Sequence, residues 1–258
     1  MTEPHDPPQA RRGRRLAQFS LRTLLLGCLV VAVMTSGYLR FVAPYRAQSR
    51  AIARYKQLGG RVELVPDEGP SWQRWLVGDD DFVRIVSLDL KDTPATDEDL
   101  QPLAARPHLR YLRLWGSEVT DKGLQHIRGH TALTFLSLVD TDVSSEGLRH
   151  LAGLTNLERL YLRQTNVADD GMVHLRGLSN LAHLSLVFTN VEGEGLVHLA
   201  DLPKLERLYL RDTGLNDVGL AHVMKLATLK HVSLTRTAVS DDLVEQLRTS
   251  HPDLEVVK

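Results

Sequence analysis

The stretch LERLYLRQTNVADDGMVHLRGLSN, residues 157–180, decides how this chain folds. Its first seven residues return unchanged at Leu205–Arg211, 48 residues further on. A looser copy, opening LAHLSLV at Leu181, stands midway between them. Extended in both directions, the 24-residue spacing gives seven units, starting at Ile85, Leu109, Leu133, Leu157, Leu181, Leu205 and Leu229. Each reads approximately LxxLxLxxTxVxxxGLxHLxxLxx, with positions 1, 4, 6, 11, 16 and 19 apolar nearly throughout.

The period has a physical reading. Positions 4 and 6, such as Leu160 and Leu162, alternate with polar neighbours and predict a strand with one buried face. Positions 16 and 19, such as Leu148 and Leu151, have helical spacing, and Ser144 or Asp121 just before such a segment is placed to cap it. A unit of strand, turn, short helix and turn cannot bury its apolar side alone. Stacked units can, so the chain is expected to form a solenoid.

The run LxxLxLxxT resembles the leucine-rich repeat across residues 85–252, in seven in-register units. Position 9, where that family usually has asparagine, is here Thr93, Ser117, Thr141, Thr165, Thr189, Thr213 and Thr237. A hydroxyl has less reach than an amide. With Val119-Thr120-Asp121-Lys122-Gly123-Leu124 after it, this version resembles a subclass of bacterial surface proteins. A short basic tail, one apolar span, a Leu-Gly-Gly turn and repeats together resemble membrane-anchored leucine-rich-repeat proteins of bacteria. The resemblance implies an α/β horseshoe, with a parallel sheet on the concave face and short helices on the convex one. It also implies protein recognition on the sheet, no catalysis and no cofactor.

By strand alternation, positions 3, 5 and 7 line the concave face. Unit by unit they are Ser87, Asp89, Lys91; Tyr111, Arg113, Trp115; Phe135, Ser137, Val139; Arg159, Tyr161, Arg163; His183, Ser185, Val187; Arg207, Tyr209, Arg211; and His231, Ser233, Thr235. Arg-Tyr-Arg rows alternate with His-Ser rows, so the surface repeats every 48 residues. Strands stack about 4.8 Å apart, which puts the two Arg-Tyr-Arg rows roughly 10 Å from each other. Tyr, Trp and Arg are the residues enriched at binding hot spots. The candidate ligand face is therefore Tyr111, Arg113, Trp115, Phe135, Arg159, Tyr161, Arg163, His183, Arg207, Tyr209, Arg211 and His231. Duplication alone would also reproduce the row, and Glu158 and Glu206 could simply neutralise the arginines beside them. A second column, His126, His150, His174, His198 and His222, sits on the convex side, each three residues after a glycine. No carboxylate or thiol is fixed beside it. Packing over the glycine explains it better than a closed four-ligand metal shell.

Ahead of the repeats, Thr23 to Leu39 carry no charge, and a transmembrane helix is expected within 23–43. Arg11, Arg12, Arg14, Arg15 and Arg22 precede it, so residues 1–22 read as a basic, disordered cytoplasmic tail and the repeats as extracytoplasmic. A cleaved signal peptide has the same charge order, and Leu25-Leu26-Gly27-Cys28 resembles a lipoprotein processing site. No small-residue cleavage site precedes the next helix, and apolar residues continue through Val33, which favours an uncleaved signal anchor. Residues 44–84 read as a juxtamembrane helix from Tyr45 to Leu58, a stop at Gly59-Gly60, a strand RVELV, a loop PDEGPSW, and a cap over the open end of residues 85–258.

Composition narrows the function classes. Residues 45–258 hold 25 basic and 30 acidic side chains, which argues against a nucleic-acid partner. Cys28 is the only cysteine, so no intrachain disulfide can form. No phosphate loop, nucleophile elbow or HExxH motif is present. The expected protein is a membrane-tethered, non-enzymatic module that binds a protein or peptide. The alternative is an architectural envelope component without a specific ligand.

Overall fold

A computed structural model describes residues 21–258, with side chains from Leu25 onward. The basic tail, with Arg11, Arg12, Arg14 and Arg15, lies outside the described residues. The chain divides into two units, Met1–Arg40 and Phe41–Lys258.

Helix α1, Leu21–Phe41, carries Leu25, Leu26, Leu29, Val30, Val33 and Leu39 largely exposed. It is long and apolar enough to cross a membrane, a property it shares with signal sequences. The Thr35 hydroxyl donates to the Val31 carbonyl at 2.7 Å, so this polar group is satisfied within the helix.

In the second unit nine strands form one sheet in strict chain order. β1 (Arg61–Pro66) runs antiparallel to β2 (Val83–Asp89). β3 (Tyr111–Arg113), β4 (Phe135–Ser137), β5 (Arg159–Tyr161), β6 (His183–Ser185), β7 (Arg207–Tyr209), β8 (His231–Ser233) and β9 (Glu255–Val257) follow in parallel. Residues 24 apart are direct partners: Leu112, Leu136, Leu160, Leu184 and Leu208 form one continuous row. All five are fully buried, as is the position-6 row from Leu114 to Leu234. Each fully buried leucine contributes about 1.5–3 kcal/mol. The fold is a leucine-rich-repeat solenoid, and its core is a stack of such rows.

The turn after each strand explains two columns. Position 8 is left-handed in every unit: Asp92, Asp140, Gln164, Phe188, Asp212 and Arg236 have φ of 54–56°, and Gly116 has 67°. Asp and Gly tolerate this backbone; Gln, Phe and Arg carry strain there. The reversal brings the position-9 hydroxyl back onto the position-6 carbonyl, as in Thr165 to Leu162 at 2.7 Å and Thr213 to Leu210 at 2.6 Å. Every hydroxyl of the column makes this bond within its own unit, so the longer reach of asparagine is not needed.

The convex segments are short. α-Helices at Asp97–Leu100 and Asp121–Leu124 are followed by three units with 3₁₀ turns, at Gly147–Leu151, Asp169–Leu175 and Glu194–Leu199, before an α-helix returns at Asp217–Val223. Thr120, Asn216 and Ser240, all at position 12, cap their helices with a side-chain oxygen. Asp121 at position 13 does not cap its own segment. Its carboxylate crosses to the next unit, accepting from the Ser144 N–H at 2.8 Å and the Ser144 hydroxyl at 2.6 Å. Asp97 does the same for Thr120, and Asp169 for Glu192, Gly193 and Gly195. At Gly123 and Gly147 this carboxylate occupies the space beside the glycine. A Cβ at Gly123 would meet the Asp97 carboxylate at 2.5 Å, and one at Gly147 would run into Asp121. Gly123 and Gly147 are therefore required by the preceding unit's aspartate carboxylate, while Gly171 faces Leu148 and Ser145, Gly195 the Asp169 backbone and Gly219 the Gly193 backbone; the expected gap beneath the half-buried histidines does not exist.

Ahead of the repeats, α2 (Ala43–Gln57) buries Ala51, Ile52 and Tyr55 in the repeat core, and Gly59 at φ 87° ends it. The expected loop at PDEGPSW is only partly a loop. Ser71–Val77 form a short helix, α3, entered through Pro70, which is suited to a helix N-terminus.

Candidate concave binding face

Three-residue strands leave only positions 3 and 5 on the pleat, with position 7 just beyond it. In register, position 3 runs Ser87, Tyr111, Phe135, Arg159, His183, Arg207, His231, Glu255. Position 5 runs Asp89, Arg113, Ser137, Tyr161, Ser185, Tyr209, Ser233. The exposed face is polarised in a way the 48-residue alternation does not predict.

Its first part is aromatic. Tyr111 and Phe135 stack with centroids 4.2 Å apart and 11° between planes, and Tyr161 joins Phe135 at 5.5 Å. The Arg113 guanidinium lies 5.4 Å from Tyr111 and 5.9 Å from Phe135, held by an ion pair to Asp89 at 3.0 Å. Trp115 is 37% exposed and carries the Lys91 ammonium 4.1 Å above its ring. Burial raises the Tyr111 pKa, opposed by the Arg113 charge.

Its second part is cationic. Arg159 and Arg207 are exposed and, among the described residues, have no ion-pair partner. They flank His183 on adjacent strands. Burial, then the Arg207 and Arg159 charges, lower the His183 pKa. Glu206 pairs with Lys230 at 2.6 Å and forms no ion pair with Arg207, though the Lys230 hydrogen bond and charge and, more weakly, the Arg207 charge hold its carboxyl below the usual range. The other two arginines of the twice-written row are engaged. Arg163 lies 5.5 Å from the Phe188 ring, and Arg211 pairs with Asp212 at 3.0 Å. Asp212 also binds Arg236, and its carboxyl is held below the usual range by the Arg236 hydrogen bond and nearby charge.

The two copies of LERLYLR thus sit in different settings. Tyr161 extends the aromatic stack, while Tyr209 contacts His231 at 5.2 Å, and His231 faces Glu255 at 3.0 Å. Ser185 lies in register between the two tyrosines and is itself buried. Phe188, 42% exposed at φ 56°, is an aromatic contact the alternation rule overlooked because it belongs to the turn. The position-8 column carries a signal, since four of its seven residues are Asp or Gly. The convex histidines make no shared site: among the described residues no group of three or more His, Cys, Asp or Glu could hold a metal.

No protein-family model and no curated protein matches this chain. Among solved structures it is similar to an internalin, InlF, of Listeria monocytogenes, with 22% identity, a TM-score of 0.56 and 67% of this chain covered. The match spans 46% of that internalin, less than half its length. Internalin C2 of the same organism matches with 25% identity and a TM-score of 0.53, over 67% of this chain and 80% of the other. The likeness lies in the repeat fold.

Proposed function

We propose that this protein is a membrane-tethered recognition module that binds an acidic, aromatic-bearing protein or peptide segment on its concave sheet. One observation carries the reading: an aromatic stack, Tyr111–Phe135–Tyr161, adjoins two exposed arginines, Arg159 and Arg207, that make no ion pair with a carboxylate among the described residues. Stacked rings offer apolar area at low entropic cost, and unpaired guanidiniums offer planar donors to carboxylates. Internalin-like solenoids supply a precedent for the fold alone. The tether in this reading is 23–43, retained as a signal anchor, with residues 1–22 cytoplasmic, 44–84 as juxtamembrane helix and cap, and 85–258 outside.

The test uses the detergent-solubilised full chain and synthetic peptides carrying Asp or Glu beside Tyr or Phe, against charge-neutral versions. The acidic peptides are expected to bind and the neutral ones to bind weakly. Arg159→Ser with Arg207→Ser should weaken binding by about 30-fold or more, the effect of losing a hot spot of about 2 kcal/mol. Added salt should weaken the wild type as the Debye length falls below about 8 Å. A chain that binds none of these peptides, and captures nothing from the native envelope, fits the architectural alternative instead.

A further inference from the structure

Helix α3 turns its apolar side chains outward. Trp75 is 82% exposed, Trp72 47% and Leu76 44%, and their spacing places them on one helix face. Two exposed indoles and a leucine on a seven-residue helix form a contiguous patch of the kind that marks an interaction surface. The helix is not loosely attached. Val77 is buried in a cluster with Val42, Tyr45 and Phe82, and Tyr45 stacks on Phe82 at 5.0 Å. Trp72 meets Phe41 edge-on, with centroids 5.1 Å apart. Tyr45 also donates to Asp67 at 2.8 Å and carries the Arg106 guanidinium 3.6 Å above its ring. Phe41, Val42 and Tyr45 come soon after the uncharged run ending at Leu39, just past Arg40. The packing around α3 thus includes Phe41 and Val42, the first residues of the second unit.

We propose that α3 is an interfacial docking helix whose Trp72, Trp75 and Leu76 insert among the headgroups of the bilayer that the apolar segment enters. This rests on reading that segment as a retained membrane span. Indole rings favour this depth, where the ring is shielded and its N–H stays hydrated. The charges beside the helix select the lipid. Arg74 pairs with Asp79 at 3.7 Å, Asp81 accepts from the Ser49 hydroxyl at 2.6 Å, and Asp80 is exposed. The carboxylates just past the helix end oppose deep insertion, Arg74, the one charge on α3, is paired, and Arg46 and Arg50 of α2 lie on either side of the Ser49 that holds Asp81, so the charges around α3 balance and the partner is a zwitterionic headgroup layer. Docking gives the repeat domain a second attachment to the membrane.

The chain has three tryptophans, Trp72, Trp75 and Trp115, which makes the proposal readable by fluorescence. The full chain is reconstituted into phosphatidylcholine vesicles, with some lipid brominated high on the acyl chain. Flotation reads whether the chain is anchored; quenching reads whether α3 is docked. In the Trp115→Phe variant, most emission is expected to be blue-shifted and quenched by the bromine, with no gain from added phosphatidylserine. In the Trp72→Ser/Trp75→Ser variant, which keeps Trp115, emission should be unquenched while flotation persists. A chain that floats with Trp72 and Trp75 unquenched overturns the docking and leaves the anchor standing. A blue shift that depends on protein density and not on bromine assigns the patch to a second copy and also overturns it. A chain that does not float removes the anchor and the docking together.

Discussion

Replacing His130 tests how closely the polar interior follows from local backbone geometry. Position 22 of the repeat is leucine at Leu154, Leu178, Leu202 and Leu226, and histidine only in the second unit. After those leucines the next unit can begin with an N–H bonded to the position-22 carbonyl: Leu157 to Leu154 at 2.9 Å, Leu181 to Leu178 at 2.9 Å, Leu229 to Leu226 at 3.2 Å. The first unit ends Arg106-Pro107-His108, and there the His108 N–H takes the Arg106 carbonyl at 2.9 Å. The buried Leu109 N–H instead donates to His130 Nδ1 at 3.1 Å. His130 is fully buried, and burial lowers its pKa to about 4, partly opposed by the nearby Leu103 carbonyl, to which Nε2 makes no well-aligned hydrogen bond. The sign follows from linkage. Below pH 6.5 the unfolded chain takes up a proton that the folded chain refuses, so stability falls with pH until about pH 4. At pH 5 the loss from this one residue is about 2 kcal/mol. His130→Leu restores the repeat consensus yet orphans the Leu109 N–H, at a cost of about 1–3 kcal/mol at pH 7.5. It should also abolish this part of the acid sensitivity. His130→Gln keeps an acceptor without a titrating group and should be milder at pH 7.5 and equally insensitive to acid. Thermal unfolding of the detergent-solubilised chain at pH 7.5 and pH 5 reads all three. The reasoning fails if His130→Leu is more stable than wild type at pH 7.5, or if the wild type and both variants share one pH dependence.

Leu160→Ala should cost about 2–5 kcal/mol, because its fully buried side chain lies between the rows of adjacent units; a melting shift near zero would refute the strand register. Asp121→Ala removes two charge-assisted bonds to Ser144 and should cost about 2–3 kcal/mol in the same melt. Gly147→Ala should be damaging in the wild type and much better tolerated in the Asp121→Ala background. Equal effects in both would show that the aspartate does not occupy the glycine's space. If the concave face binds, Tyr161→Ala should weaken peptide affinity more than Tyr209→Ala, measured by titration calorimetry, since only Tyr161 continues the aromatic stack.

The solenoid was legible because its signal is periodic and apolar. A leucine buried by stacking must recur at the stacking period, so the 24-residue spacing gives strand order, register and core at once. Residues 44–84, ahead of the repeats, have no repeat, and local patterns there carry less information. PDEGPSW looked like a loop because Pro and Gly dominate it, yet Pro70 starts a helix that Val77 ties to Val42, Tyr45 and Phe82. That packing joins residues about thirty positions apart, which no local pattern reveals. Asp121 departs from its expected capping role for a similar reason. Position 13 has the composition of a cap, but its partner is the next unit's Ser144, a contact that exists only once the units stack.

The twice-written LERLYLR shows why a surface is harder to read than a core. The buried Leu160 and Leu208 have nearly equivalent settings, since Leu160 meets Leu136 and Leu184 and Leu208 meets Leu184 and Val232, all aliphatic. The exposed residues inherit their setting from neighbours that the duplication did not copy. Phe135 stands before Arg159 and makes Tyr161 part of an aromatic stack; His183 stands before Arg207 and leaves Tyr209 outside it. Phe188 occupies the turn after one unit and takes Arg163, while Asp212 occupies the turn of another and takes Arg211. Identical strings therefore give unequal rows, one apolar with an engaged arginine and one polar with a paired arginine. The shared remainder, Arg159 and Arg207, brackets His183 and stays open. A ligand that uses both copies must bring carboxylate to this shared pair and aromatic surface to one side of it only. Its binding direction along the sheet is thereby set by residues that differ between the copies.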